Sequence, residues 1–151
     1  MALEISETLL ERIRQHGAQT YPNECCGALL GRADENGKHV VAVLPLDNRR
    51  EGEAARTRFL ISAEDYRWAV QIARERNLEI LGFYHSHPDH PAQPSEYDRE
   101  QALPWYSYIV VRVVGGIPQE ATSWVLADDR SQFLPEELRP AVPAPPSEPR
   151  G

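Results

Sequence analysis

The sequence predicts an α+β domain in which helices flank a mixed, mostly antiparallel, curved sheet in α-β-α layers. Two observations support this prediction. Apolar residues recur at helical spacing in two segments, and short apolar runs bounded by turn residues occur along the chain. The predicted order is helix, two or three strands, helix, strand, helix and two strands. Because strands and helices do not alternate regularly, a doubly wound parallel fold is not expected.

The first half of the chain predicts a helix followed by a hairpin. Ser6 can cap this helix and Gly17 can end it. The helix would have one apolar face, formed by Leu9, Leu10 and Ile13. Residues 26–31 form an apolar run that predicts a buried strand, and the turn over residues 34–37 leads to a second strand over residues 38–44. An exposed polar loop over residues 47–56 and a short strand over residues 57–61 are expected next.

The second half predicts two more helices and three strands. Ser62, with Asp65 three residues later, is typical of a helix start, and apolar residues then recur at helical spacing. An apolar strand over residues 78–85 is followed by a proline-rich loop and a short helix over residues 95–103. Two further strands are expected over residues 105–114 and 120–127.

The composition indicates one domain. The chain has 151 residues, of which 41% are hydrophobic, and this is enough for a sizeable core. We expect the domain to span residues 1–134. Residues 135–151 hold six of the 13 prolines, so they are predicted to form a flexible tail.

Charge and hydropathy exclude several classes of partner. The net charge of −7 argues against nucleic acid, because affinity for a phosphate backbone comes from clustered lysine and arginine. Neither a signal segment nor an apolar run of about 20 residues is visible, so we expect a cytoplasmic protein without a membrane partner. Cys25 and Cys26 are adjacent and are expected to be reduced thiols. The oligomeric state is left open.

A set of metal-ligand residues follows the strand over residues 78–85. His85 and His87 are one residue apart, so both imidazoles leave the same face of a strand. Asp98 follows beyond a proline-rich loop that is long enough to turn back. Two imidazoles and one carboxylate would leave the fourth position of a tetrahedral zinc ion open for water, as a hydrolase requires.

Each part of this set also has a structural interpretation. A His-x-His pair on a strand is more often polar decoration than a metal site. Ser95 and Asp98 have the spacing of a helix N-cap and its capping-box acid, and this role is compatible with a catalytic one. Asp89 and His90 directly follow His87, where the chain has little room to aim them at the same ion. They are interpreted as loop residues.

The pattern His-x-His-x7-Ser-x2-Asp, filled by His85, His87, Ser95 and Asp98, resembles the signature of the JAMM (MPN-plus) zinc metallopeptidases. These enzymes carry a catalytic glutamate upstream, and the segment Tyr-Pro-Asn-Glu-Cys-Cys-Gly around Glu24 is similar to that element. The resemblance covers roughly residues 9–127. It implies the MPN fold, which is similar to that of cytidine deaminases.

The resemblance also implies the role of each site residue. One zinc ion per chain would be held by His85, His87 and Asp98. Glu24 would act as general base and Ser95 would donate a hydrogen bond to the developing oxyanion. Cys26 is instead interpreted as a buried structural thiol, because it adjoins small apolar residues on a predicted strand.

Among members of the family, the compact chain most resembles bacterial peptidases that trim ubiquitin-like sulfur-carrier proteins, such as the one that releases cysteine from a carrier. The implied substrate is a carrier tail that ends in Gly-Gly and adds to an exposed strand edge. Arg49, Arg50 and Arg56 are candidates for contacting the carrier, although a solvated loop is equally consistent with them. The alternatives are a deubiquitinase-like isopeptidase and a non-catalytic MPN interaction module.

Overall fold

The computed structural model describes residues 2–141. Its strands are β1 (Ala2–Ile5), β2 (Cys26–Asp34), β3 (Gly37–Leu46), β4 (Glu79–Pro88), β5 (Ser107–Val114), β6 (Ile117–Leu126) and β7 (Phe133–Pro140). Its helices are α1 (Glu7–Thr20), α2 (Ala63–Glu75) and α3 (Glu96–Gln101), with a 3-10 helix over Gly52–Arg56.

The seven strands close into a barrel in the order β1-β3-β2-β4-β5-β6-β7. The mixed sheet was predicted, and four of its seven pairings are antiparallel; β1 pairs in parallel with both β3 and β7, and β4 pairs in parallel with β5. Closure of the sheet into a barrel, through the pairing of β1 with β3 and β7, was not predicted. Within residues 2–141 every strand therefore has two neighbours, but some pairings are partial: β3 pairs with β1 only at Lys38 and His39, and β6 pairs with β7 only over Ser123–Leu126. The predicted addition of a substrate tail to a strand edge stays a prediction.

Two apolar clusters cover opposite faces of β2 and β4. Leu29 and Tyr84 face the cluster that contains Leu10 and Ile13 of α1. Ala28 and Leu30 face the cluster beneath α2. Because side chains alternate along a strand, this arrangement gives each helix one face of the sheet to pack against.

Helix α1 continues past Gly17, which was predicted to end it. A Cβ atom at Gly17 would lie 3.1 Å from a Val113 side-chain atom and 3.3 Å from the Ser86 Cβ atom. Gly17 is therefore explained by close packing of the helix on β4 and β5 rather than by a helix end. The predicted N-caps are confirmed, since Ser6 Oγ accepts from Leu9 N–H at 3.2 Å and Ser62 Oγ accepts from Asp65 N–H at 3.1 Å.

The structure differs from the predicted elements in three other places. The first is strand β1, which was not predicted because four residues are too few to show a periodic pattern; its residues Leu3 and Ile5 are buried. Residues 57–61 do not form a strand, because their backbone pairs with the preceding loop, as in the 2.9 Å hydrogen bond from Arg49 N–H to the Leu60 carbonyl.

The third correction concerns the predicted tail from residue 135. Residues 135–140 belong to β7, where pairing with β6 and β1 overrides the proline content. The remainder of the predicted tail, beyond residue 141, lies outside the described residues.

Within the described part of the chain, none of the helices has both the length and the apolar character that a bilayer crossing requires.

Candidate metal and hydrolytic site

The end of β4 and the start of α3 bring three ligand atoms together. His85 Nε2 lies 3.1 Å from His87 Nε2, and Asp98 Oδ2 lies 3.1 Å from His85 Nε2 and 3.2 Å from His87 Nε2. All three side chains are buried. The predicted spacing on one strand face thus places both imidazoles beside the carboxylate.

The surroundings fix the orientation of these ligands. His87 Nδ1 donates to the Pro91 carbonyl oxygen at 2.8 Å, so the neutral ring offers its Nε2 lone pair to the cluster. Asp98 Oδ2 accepts from Ser95 N–H at 2.8 Å, which directs this oxygen at the histidines. The His85 ring is stacked on Phe59 at 4.8 Å between centroids.

This donor set fits zinc. Zn–N and Zn–O bonds of about 2.0–2.1 Å in a tetrahedral site place ligand atoms about 3.3 Å apart, close to the separations of these three atoms. Although burial raises the pKa of Asp98, the charge of His85 and the hydrogen bonds from His85, His87 and the Ser95 backbone hold it well below its usual range. The carboxylate is therefore ionised and available to a cation.

Glu24 lies beside this cluster in the segment that enters β2. It is 1% exposed, and neither carboxylate oxygen has a hydrogen-bond partner within residues 2–141. Burial raises the pKa of Glu24 to about 8; the nearby His87 opposes the shift and Asp98 adds to it. A buried carboxyl without a donor is costly, so its retention next to three metal-ligand atoms points to a chemical role.

The backbone around Glu24 is tied to the neighbouring elements. Ser86, between the two histidines, accepts from Cys25 N–H at 2.8 Å through its Oγ. Asn48 donates to the Glu24 carbonyl oxygen at 3.1 Å, and Glu24 N–H donates to the Ala55 carbonyl at 2.7 Å. The sequence interpretation missed Ser86 and Asn48; the small polar residue inside His-x-His was the available signal for Ser86.

The position of Ser95 is compatible with both roles predicted for it, the N-cap of α3 and the hydrogen-bond donor to an oxyanion. Its Oγ accepts from Asp98 N–H at 3.1 Å, completing a capping box with the Ser95 N–H to Asp98 bond. Within the described chain this hydroxyl donates no hydrogen bond to another group. Its proton is therefore free for a ligand while its oxygen caps α3.

His90 and Asp89 lie outside the triangle of His85, His87 and Asp98, as expected, but they are not unattached loop residues. Ligand atoms of Glu24, His87 and His90 lie within 4.8 Å of one another. Asp89 Oδ2 accepts from the Tyr21 hydroxyl, and its Oδ1 accepts from Gly115 N–H at 2.8 Å. Asp89 thus links the loop that carries Glu24 to the β5–β6 turn.

The cysteines are structural. Both are free and buried, and Cys26 Sγ lies 3.8 Å from the Leu46 carbonyl oxygen. Burial raises the pKa of Cys25 to about 12 and also raises that of Cys26, so neither thiol supplies a thiolate. This confirms the interpretation of Cys26 as a buried thiol.

Two of the three loop arginines are held within the fold. Arg49 binds Asp65 through Nε at 2.8 Å and Nη2 at 3.1 Å, and Arg50 donates to the Tyr97 hydroxyl. Arg56 ends the 3-10 helix and is exposed. Of the three predicted carrier contacts, Arg56 is the one whose side chain makes neither a hydrogen bond nor a salt bridge within the described residues, whereas Arg49 is also exposed but paired.

A largely apolar cavity of about 470 Å³ adjoins the metal-ligand triangle. His85 and Asp98 form part of its wall, and much of the remainder is aromatic, including Phe59, Phe83, Tyr97 and Tyr108. Such a cavity next to convergent polar groups is the usual setting of a substrate site.

Comparison with known proteins gives one family. The family described as prokaryotic homologs of the JAB domain matches residues 6–127. A desampylase of Haloferax volcanii is 30% identical over 111 residues, 73% of this chain and 77% of that protein. A probable TtuB-protein conjugate cleaving protease of Thermus thermophilus is 30% identical over 110 residues, 73% of this chain and 70% of that protein.

A solution structure of a Salinibacter ruber protein has 43% sequence identity and a TM-score of 0.74, covering 97% of this chain and 95% of that one. The family match extends from the cap of α1 to the end of β6 and includes Glu24 and all three residues of the metal-ligand triangle. The chain is therefore a member of the prokaryotic JAB (JAB/MPN) domain family.

Proposed function

We propose that this protein is a zinc-dependent peptidase or isopeptidase that cuts a small ubiquitin-like protein from its conjugate, after the C-terminal Gly-Gly. The observation that carries the proposal is the unpartnered, buried carboxylate of Glu24 beside the triangle of His85, His87 and Asp98. The names of the two curated relatives, a desampylase and a conjugate-cleaving protease, support this substrate class.

Each residue has a separate task in this mechanism. His85, His87 and Asp98 hold one zinc ion, which when bound acidifies a water molecule and polarises the scissile carbonyl. Glu24 accepts the proton of the attacking water and passes it to the leaving amine. Its two free oxygens suit both steps, because no protein donor has to be displaced first.

Ser95 donates its unused hydroxyl proton to the oxyanion. Its oxygen stays fixed by the α3 N-cap, so the donor is already oriented before the substrate binds. The low-dielectric surroundings provided by the apolar cavity strengthen this interaction relative to water.

The substrate tail lies between residues 57–62 and α3 in this proposal, rather than along a sheet edge. Phe59 and Leu60 on one side and Tyr97 on the other line the cavity that adjoins His85. Glycine residues at the scissile bond let the backbone approach the buried ligands without side-chain collision. A ubiquitin-like sulfur carrier is the proposed modifier, and a deubiquitinase-like isopeptidase is the alternative.

The test is cleavage of three carrier adducts whose tails end in Gly-Gly, Gly-Val and Val-Gly, with product masses read by mass spectrometry. We expect cleavage only after Gly-Gly. Equal cleavage of all three would contradict the narrow approach to the metal. Efficient cutting of lysine-linked diubiquitin would favour the deubiquitinase alternative, and no cleavage of any conjugate by the zinc-loaded chain would favour a non-catalytic interaction module.

A further inference from the structure

A second group of ligand-type side chains adjoins the proposed zinc triangle. Ligand atoms of Glu24, His87 and His90 lie within 4.8 Å of one another, and the centroids of the His87 and His90 rings are 4.4 Å apart with the rings tilted by 31°. His87 belongs to both groups. The two groups therefore form one continuous cluster rather than two separate sites.

His90 keeps one ring-nitrogen lone pair free of hydrogen bonds within residues 2–141. Its Nδ1 donates to the Pro88 carbonyl oxygen at 2.7 Å, which places the proton of the neutral ring on Nδ1. Nε2 then carries the lone pair that could bind a metal ion, and it makes no hydrogen bond within residues 2–141. An imidazole held by a backbone carbonyl in this way has the orientation of a typical metal ligand.

Glu24 provides the second candidate ligand. Its carboxylate is 1% exposed and has no hydrogen-bond donor in the described part of the chain, so a cation would compensate a group that is otherwise costly to bury. The single lone pair of His87 Nε2 is used by the first ion. A second ion would consequently have two protein ligands, Glu24 and His90, with solvent completing its shell.

We propose that Glu24 and His90 form a second, weaker site for a divalent transition metal of the zinc class, and that its occupancy inhibits the enzyme. Imidazole with carboxylate suits zinc and its neighbours, and two protein ligands hold an ion less tightly than three. Metal bound to Glu24 occupies the lone pair that has to accept a proton. The inhibitory part of this inference rests on the proposed function; the metal count does not.

The experiment is calorimetric titration of Zn²⁺ into the full-length protein. We expect a tight equivalent followed by a weaker one. His90→Phe, which keeps a ring against His87 but lacks the nitrogens, should retain the first equivalent and lose the second, and so should Glu24→Gln. His39→Ala removes a partly exposed histidine on β3 and should keep both equivalents, which separates this site from adventitious surface binding.

The second measurement is peptidase activity at increasing zinc concentration. Zinc added beyond one equivalent should inhibit the parent protein and His39→Ala but not His90→Phe. The inference is overturned if the parent takes up no second equivalent, or if His90→Phe still binds it with the parental affinity. Failure of the first equivalent to bind would instead contradict the proposed zinc function, so the two failures are distinguishable.

Discussion

Glu24 and Glu136 are both buried glutamates, but only Glu24 has both carboxylate oxygens without a hydrogen-bond partner in the described residues; for Glu136 this holds for Oε2 alone, which faces a lysine. Glu136, on β7, accepts from the Ser123 hydroxyl at 2.9 Å and faces Lys38 Nζ at 4.0 Å. Lys38, the only lysine of the chain, also donates to Ser107 Oγ at 2.9 Å. This group lies near the start of β5, whereas His87 pairs with Arg112 toward the other end.

Glu24 has no such partners in the described residues, and its neighbours are the metal-ligand side chains. A fold can bury a carboxylate at moderate cost when it supplies a cation and donors, as around Glu136. The carboxylate that the fold leaves unpaired is the one beside the candidate catalytic site. The two glutamates therefore differ in pairing, and the proposed function assigns the chemical role to the unpaired one.

The largest expected effect is the loss of zinc and activity when a metal ligand near Glu24 is removed. His87→Ala removes one of three ligands, so we expect loss of the tight zinc equivalent and of all measurable peptidase activity. Zinc content by elemental analysis after desalting is the measurement, with His39→Ala as the control. Retention of one zinc per chain by His87→Ala would refute the ligand assignment.

Ser95→Ala tests whether a helix cap also takes part in the reaction. We expect turnover to fall by about 10²-fold or more through loss of the oxyanion donor, together with about 1 kcal/mol of stability from the lost cap. Ser62→Ala is a matched control, because Ser62 caps α2 with the same side-chain geometry. Ser62→Ala should lose similar stability and keep the parental turnover. If Ser95→Ala also kept the parental turnover, Ser95 would have the capping role alone.

Lys38→Met tests the structural side. The substitution leaves Glu136 without its cation and also removes the hydrogen bonds that Lys38 donates to the Trp105 carbonyl and Ser107 Oγ. We therefore expect the free energy of unfolding to fall by about 3 kcal/mol, measured by urea denaturation. Turnover per folded molecule should be unchanged, because Lys38 contacts none of the metal-ligand residues in the described structure. A loss of turnover without a loss of stability would reverse the contrast between the two glutamates.

A smaller effect concerns alkaline pH. Burial lowers the pKa of Lys38, and Glu136 opposes this shift. Between the lowered pKa of folded Lys38 and the ordinary lysine pKa of about 10.4, the unfolded chain binds more protons at this position than the folded chain. The free energy of unfolding therefore rises with pH in this window. The free energy of unfolding of the parent minus that of Lys38→Met should therefore increase as the pH approaches 10. A decrease would show that the ion pair outweighs burial.

The local signals in the sequence predicted much of the local geometry of the candidate site. The spacing of His85 and His87 on one strand and the capping pattern of Ser95 and Asp98 are short-range features, and they appear in the structure as expected. Barrel closure was not predictable in the same way, because β1 and β7 join the ends of the chain through parallel pairing. The position of His90 beside Glu24 likewise depends on tertiary contacts that spacing does not encode.

The most direct test of the central claim compares Glu24→Gln with Glu136→Gln, each measured for zinc content, stability and conjugate cleavage. Glu24→Gln should fold, keep one zinc and lose about 10²–10⁴-fold in turnover, because an amide cannot accept the water proton. Glu136→Gln should be destabilised and cleave normally once folded. Parental turnover by zinc-loaded Glu24→Gln would contradict the account.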